Sequence, residues 1–382
     1  MMFLTVVIFI LTLLVLVVVH EFGHFIVAKK FKIKVLEFGF GIPPRIWGKK
    51  IGETLVSLNW LPIGGFVRLL GEDELEKKVL EDHRSFAAQT VWKRIAVVVA
   101  GVAMNFLLAC LLFYIVLGFQ GFKTQLTLGV GVNDFKFIGV SQQIENIIII
   151  AQVSQDSPAS KSGIKLGERV LAINEEPISD RNQLVEKTKN LAGQEIALTL
   201  SSPDKKDLRI VRVVPRPIPP QGQGPLGVAL RGIRTVNLLY ETPTQKLLAG
   251  PAHAINLIAF SGKMLADLVG QSFEESSLAP VSSSVAGPVG ITSIANVILT
   301  STKNPILPYL DFVALLSLNL AVLNLLPFPA LDGGRLFFLL GEAITKKRIH
   351  PVFEKWVHTV GMAILLTLAL VITVSDIGKI FF

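Results

Sequence analysis

The sequence predicts a membrane α-helical protein with four transmembrane helices and a folded α+β unit between the second and third. Three observations carry this. Hydrophobic residues make up 51% of the 382, and the mean hydropathy is +0.57, a composition suited to lipid rather than water. Charge-free or charge-poor runs occur at about 3–28, 95–119, 309–328 and 357–375, each close to the length that spans a bilayer. The long stretch between the second and third runs instead carries short strand-like segments separated by turn residues.

The first run starts without a basic region, and no small-residue cleavage site follows it. It therefore reads as a retained helix and not as a removed signal peptide. At 1.5 Å per residue, a helix over 3–28 is about 39 Å long, enough to span with some tilt. Between the first two runs lie Lys29, Lys30, Lys32, Lys34, Arg45, Lys49, Lys50, Arg68, Lys77, Lys78, Arg84, Lys93 and Arg94. Arg335, Lys346, Lys347, Arg348 and Lys355 lie between the last two. Because basic short loops stay inside, both loops are expected in the cytoplasm, with both termini and the 120–305 segment outside. This sorting by membrane side also accounts for the net charge of +8 without invoking nucleic acid. The lone Cys110 lies in the second run, where no intramolecular disulfide is possible and an apolar setting disfavours the thiolate.

Residues 252–269, "AHAINLIAFSGKMLADLV", are a fifth apolar candidate, but His253, Lys263 and Asp267 make them a weak span. They read as an amphipathic helix at the outer interface. Strand-like runs at 146–153, 168–178, 195–200 and 208–214 flank a helical "NQLVEKTKNL" at 182–191. This pattern resembles a PDZ domain, a module that captures extended peptides by adding a strand to its edge. "PRPIPPQGQGP" (215–225) reads as the linker closing it. The expected organisation is a first membrane half over 1–119, with a cytoplasmic β-loop at about 52–72. An external unit over 120–225 (core 146–215) follows, then an external linker with the interfacial helix over 226–305. A second membrane half covers 306–382.

The first run ends in "HEFGH". His20 and His24 are i and i+4, so their imidazoles leave one helix face at a spacing suited to one metal ion. Glu21 is offset by about 100°, beside the ligands, where a general base can reach a water activated by zinc. Ionisable groups in hydrocarbon are costly and functional by default. Counting back from Lys29, the histidines lie roughly 8–14 Å below the cytoplasmic surface, so water must reach them through a cavity. Two histidines leave the metal under-coordinated. The third run ends "NLLPFPALDGG", where Pro327 and Pro329 stop the helix and leave irregular backbone, tolerated at membrane depth only inside protein or along a cavity. Asp332 is delivered by that break as a third ligand. If 252–269 crossed the bilayer, Asp332 would emerge on the opposite side from the histidines.

With these motifs in hand, the chain resembles the site-2 protease family of intramembrane zinc metalloproteases, in particular the bacterial branch typified by the regulator-of-sigma-E protease. The motifs are "HEFGH", "LPIGGFVRLLGE" (61–72), "GVAMN" (101–105), the PDZ-like pattern and "NLLPFPALDGG" (324–334). The resemblance implies Zn2+ on His20, His24 and Asp332, Glu21 as catalytic base, and Asn324 on substrate backbone or oxyanion. Asn105 and Asn319 are weaker polar candidates, since polar groups inside spans also join helices. "SLNWLPIGGFVRL" resembles the family's membrane-dipping β-loop, in which Gly64 and Gly65 let an extended edge approach a substrate strand. The resemblance further implies single-pass membrane proteins as substrates, peptide C-termini or extended segments at the PDZ-like unit, and a place in the bacterial cytoplasmic membrane. The branch often carries two tandem PDZ units, and one is found here. Two other functions fit parts of the sequence. A membrane-anchored zincin cutting misfolded proteins at the cytoplasmic face would need a ligand-bearing Glu or His on a soluble helix after the first motif, and His83 in the long loop has no helical partner motif. A non-catalytic PDZ adaptor would have no use for Glu21.

Overall fold

The computed structural model describes residues 2–72, 79, 82–128, 135–202, 207–277, 279–301, 304–348 and 350–381; Lys77 and Lys78 of the basic loop lie outside them. The chain divides into two units, 1–119 together with 247–382, and 120–246.

The first unit opens with helix α1 (Met2–Lys30) and a hairpin of β1 (Val35–Ile51) and β2 (Thr54–Leu69), followed by α2 (Val91–Phe119). The second unit contains β3 (Lys123–Leu128), β4 (Ser141–Val153), α3 (Pro158–Lys161), β5 (Arg169–Ile173), β6 (Glu176–Pro177), α4 (Arg181–Asn190), β7 (Ile196–Ser201), β8 (Leu208–Val213) and β9 (Val228–Leu239). Seven helices follow: α5 (Pro243–Leu247), α6 (Ala249–Glu274), α7 (Ala279–Ser284), α8 (Pro288–Ser301), α9 (Ile306–Leu325), α10 (Asp332–Thr345) and α11 (Pro351–Phe381).

Among the described residues, four helices are long and apolar enough to cross a membrane: Met2–Lys30, Val91–Phe119, Ile306–Leu325 and Val352–Gly378. On α1 only Thr5, Phe9, Leu16, His20, Gly23 and Ala28 are buried, one stripe with helical spacing. Phe3, Leu4, Leu11, Val15, Phe22 and Ile26 are exposed instead, an arrangement water would penalise and lipid would not. α1 lies close on α2, because a Cβ on Gly23 would come within 2.3 Å of the Ala100 carbonyl oxygen. Polar pairs join the helices: Thr5 Oγ1 donates to Asn296 Oδ1 at 3.0 Å, Thr12 meets Tyr309 at 2.8 Å, and Ser317 Oγ donates to the Asn105 carbonyl at 2.8 Å. Each such bond contributes on the order of 0.6 kcal/mol in a membrane. α9 stops at Leu325, three residues before the expected end of its run. Leu326 is extended, at φ −63 and ψ 142, as the residue before a proline prefers.

The 252–269 segment lies within α6, which buries Gly250, His253, Ala254 and Phe260. It packs against α2, where a Cβ on Gly250 would meet the Cys110 carbonyl oxygen at 2.2 Å.

The hairpin begins at Val35, well before the expected 52, and folds back on itself. Phe38 pairs with Val56 on one side and Val67 on the other; Phe40 pairs with Leu58 and Gly65. Residues 65–68 are thus an edge strand beside the central 37–40 segment. Buried Glu37 joins the layers by accepting from Ser57 Oγ at 2.7 Å and from Arg45 at 3.0 Å. At the hairpin turn, Lys29 and Arg84 both donate to Glu53, and these bonds hold its carboxyl down at about 2.

In the second unit the sheet order is β3-β9-β4-β5-β7-β8, with β6 on β5. β7 alternates buried Ile196, Leu198 and Leu200 with half-buried Ala197 and Thr199, the period of a strand with one face in a core. Those residues pack with Ile148, Ile150, Val170, Ile173, Leu184 and Val211. Asp180 caps α4 through the Asn182 N–H. The structure corrects one boundary. β9 lies beyond 225, in the expected linker, yet it pairs along nearly its whole length with β4 and over Arg234–Leu239 with β3. The Pro/Gly-rich 215–225 stretch is a loop inside the unit, held by Arg216 N–H on the Pro225 carbonyl at 2.9 Å.

Candidate metal and catalytic site

One helical turn brings the His20 and His24 rings to 4.8 Å between centroids, edge to face, with their Nε2 atoms 3.2 Å apart. His24 Nδ1 lies 2.8 Å from the Val97 carbonyl oxygen. A carbonyl only accepts, so Nδ1 donates to it and Nε2 is the nitrogen turned towards the cluster. This is how metal-ligating histidines are commonly oriented from behind.

Asp332 arrives 312 residues later in sequence, as the first residue of α10. Its Oδ2 lies 2.8 Å from His20 Nε2 and 3.1 Å from His24 Nε2. The three ligand atoms form the one such His/Asp cluster among the described residues. Three electron-pair donors this close call for a shared positive charge. A tetrahedral zinc with ligands at about 2.0–2.1 Å would hold them roughly 3.3 Å apart, near the distances observed.

Gly101 of α2 supplies the space. A Cβ there would come within 2.5 Å of His24 Nε2 and 2.7 Å of His20 Nε2. The donor set and this gap both fit zinc. Gly101→Ala is therefore expected to weaken zinc binding by at least about 10-fold, the lower range for disturbing a ligand's surroundings, while the purified protein stays folded. Zinc analysis after dialysis checks this, and unchanged occupancy would remove Gly101 from the site.

Beside the cluster, a cavity of ≈200 Å³ is lined by Val17, His20, Glu21, Asn105, Leu320, Asn324, Ala330, Leu331 and Asp332. Asn105 is fully buried, and neither amide atom has a hydrogen-bond partner. An unsatisfied buried amide is costly, which suits a group that meets a ligand or water in the cavity. The edge strand also comes here: a Cβ on Gly65 would lie 3.5 Å from Glu21 Cγ and 3.6 Å from Val17 Cγ1. Gly64 stands at φ +94, where a side chain is strained.

Of the sequence candidates, His20, Glu21, Asn105, Asn324 and Asp332 line one cavity, His24 completes the ligand cluster, and Gly65 abuts Glu21. Asn319 does not join them; it is exposed on α9. His83 is 91% exposed beside Asp82, and no ligand of the cluster comes from its loop. Gly101 was legible only as the first residue of "GVAMN", four before Asn105, where i and i+4 share a helix face.

A model of peptidase family M50 matches residues 8–368. A Clostridium perfringens protein described as a candidate zinc metalloprotease is 33% identical over 374 residues, covering 95% of each chain. The regulator of sigma-W protease RasP of Bacillus subtilis is 27% identical over 459 residues, covering 99% of each. The zinc metalloprotease RasP of Geobacillus kaustophilus is 26% identical over 450 residues, covering 96% of each.

Proposed function

The chain belongs to peptidase family M50, the site-2 protease family, and on that premise we propose that it cuts single-pass membrane proteins within the bilayer, using His20, His24 and Asp332 as zinc ligands. It is a zinc metallopeptidase and a bacterial membrane protein. The observation that carries the intramembrane reading is the convergence of His20, Glu21 and Asp332 on one cavity, with both histidines and the glutamate on a helix whose outward face is apolar.

His20, His24 and Asp332 would hold the zinc, which would supply Lewis acidity to polarise the scissile carbonyl and to bring the pKa of a water to about 7. Glu21 takes the proton of the attacking water and returns it to the leaving amine nitrogen as the C–N bond breaks. The Asn324 amide donates to the oxygen that gains charge in the transition state. An unwound substrate segment adds to the 65–68 edge, which sets its backbone beside Glu21. Val97 holds His24 in the tautomer that binds.

The chain fits the bacterial branch of the family, with both termini and the second unit outside the cytoplasmic membrane and the cavity opening to the cytoplasm. Its role there is regulated proteolysis of the kind the RasP name describes for sigma-W, in envelope-stress or anti-sigma-factor signalling, or clearance of signal peptides. The second unit acts as a PDZ-like selector of peptide C-termini or extended segments. In support, among the described residues β9 pairs with β4 over 228–239 and with β3 over 234–239, which sets it inside the sheet of this unit. A cavity of ≈370 Å³ there is lined by Asp180, Arg181, Arg231 and Ile233, among others. Replacing 120–246 by a flexible linker is expected to broaden substrate choice in membranes while a minimal transmembrane helix is still cut. Loss of all turnover on that minimal substrate would contradict the selector role.

The function itself is tested by reconstitution in lipid nanodiscs with a single-pass model substrate. Cleavage should stop with 1,10-phenanthroline and return on adding zinc; cleavage indifferent to chelation would overturn the proposal.

A further inference from the structure

We propose that His358 of α11 is a positioning residue for the metal site: it holds the turn that presents Asp332. The inference rests on reading Asp332 as a zinc ligand.

The turn between α9 and α10 is short of internal hydrogen bonds. Pro327 and Pro329 have no N–H. Leu326 N–H donates to Leu323, Phe328 N–H to Leu326, and Leu331 N–H to Phe328. That leaves Ala330, whose N–H donates to His358 Nδ1 at 2.9 Å. It is the one backbone donor of the turn that reaches another helix. Ala330 also stands at φ +79, in the left-handed region that a residue with a Cβ seldom adopts unless its surroundings hold it there. Two residues later comes Asp332.

The same face of α11 grips the chain on both sides of Asp332. Gly361, three residues beyond His358, lies so close to the turn that a Cβ would meet Pro329 Cβ at 2.3 Å. Glu354, four residues before His358, reaches Arg335 Nε at 3.9 Å. Arg335 in turn donates to Glu72, and Glu72 accepts from the Leu69 N–H at 3.2 Å. One helix face therefore holds the residue two before Asp332, the residue three after it, and the end of the edge strand beside Glu21. α11 is otherwise exposed along most of its length, so its hold on the turn is local. Without the His358 acceptor, the Ala330 N–H loses its partner and the turn is free to relax from its strained φ. Asp332 Oδ2 would then leave its place beside the histidines, and a metal site tolerates little such displacement.

The test compares three side chains at 358 in the full-length protein, measuring zinc affinity by chelator competition and thermal melting of the zinc-free protein. In asparagine, Oδ1 occupies the place of His Nδ1 and accepts the same bond. In leucine, Cδ1 fills that place and accepts nothing. His358→Leu is expected to weaken zinc binding about 10- to 100-fold, the range for losing an outer-shell partner, and His358→Asn to restore most of it. Zinc affinity unchanged in His358→Leu overturns the proposal, as does equal weakening in both variants, which would assign the effect to ring packing. A fall in melting temperature alone also overturns it. If His358→Leu does not accumulate, Gly361→Ala lifts α11 off Pro329 without altering the histidine; it should weaken zinc in the same way, and unchanged affinity there counts against the proposal. Absence of stoichiometric zinc in the wild type would instead overturn the reading of Asp332 as a ligand.

Discussion

Glu21→Gln is expected to abolish turnover of a transmembrane substrate, by about 10²- to 10⁴-fold or more as removal of a general base does, while zinc stays bound. The amide keeps the shape of the carboxyl and its place against Gly65, so neither the helix nor the edge strand has reason to move. What it loses is the ability to take a proton from water. The proposed ligands are untouched, because the cluster consists of His20, His24 and Asp332. In cells the variant should hold uncut substrates, and membrane proteomics of wild type against Glu21→Gln would list them. Turnover within tenfold of wild type would place the base elsewhere.

Asp332→Asn is expected to have the second largest effect, and through the metal rather than the proton. Asp332 brings the one carboxylate to a cluster whose other two members are histidines. Its Oδ2 lies within hydrogen-bonding distance of both histidines. An amide can fill the space but brings no charge to a divalent cation. Zinc affinity should fall by more than the about 100-fold seen on losing an outer-shell partner, with activity falling alongside and partly restored by excess zinc. Full zinc occupancy after dialysis would remove Asp332 from the site.

What could be read from sequence followed how local the physics is. His20, Glu21 and His24 share little more than one turn of one helix, so their relation was visible in five letters. Asp332 was legible because Pro327 and Pro329 interrupt an apolar run, a local break with a tertiary consequence. The hairpin's true start at Val35 was not legible, since "VLEFGF" is paired on two sides by one folded-back strand. β9 was missed for a related reason. "VALRGIRTVNLL" carries Arg231, Gly232 and Arg234 in its middle, which breaks the apolar pattern, and the strand is held by ladders to β3 and β4. His358 lies 28 residues from the amide it accepts, and nothing in either stretch points to the other. Asn319 is the opposite case: a polar residue in an apolar run reads as a site, and its position on α9 leaves it exposed.

On the proposed function, the peptide bond is cut inside the bilayer and not in an exposed loop. Mass spectrometry of products from a single-pass substrate in nanodiscs tests this most directly, with Glu21→Gln as the blank. The expected cut lies within the substrate's apolar segment, is absent from the blank and is lost on chelation. Products ending only in the substrate's soluble flanks would contradict it.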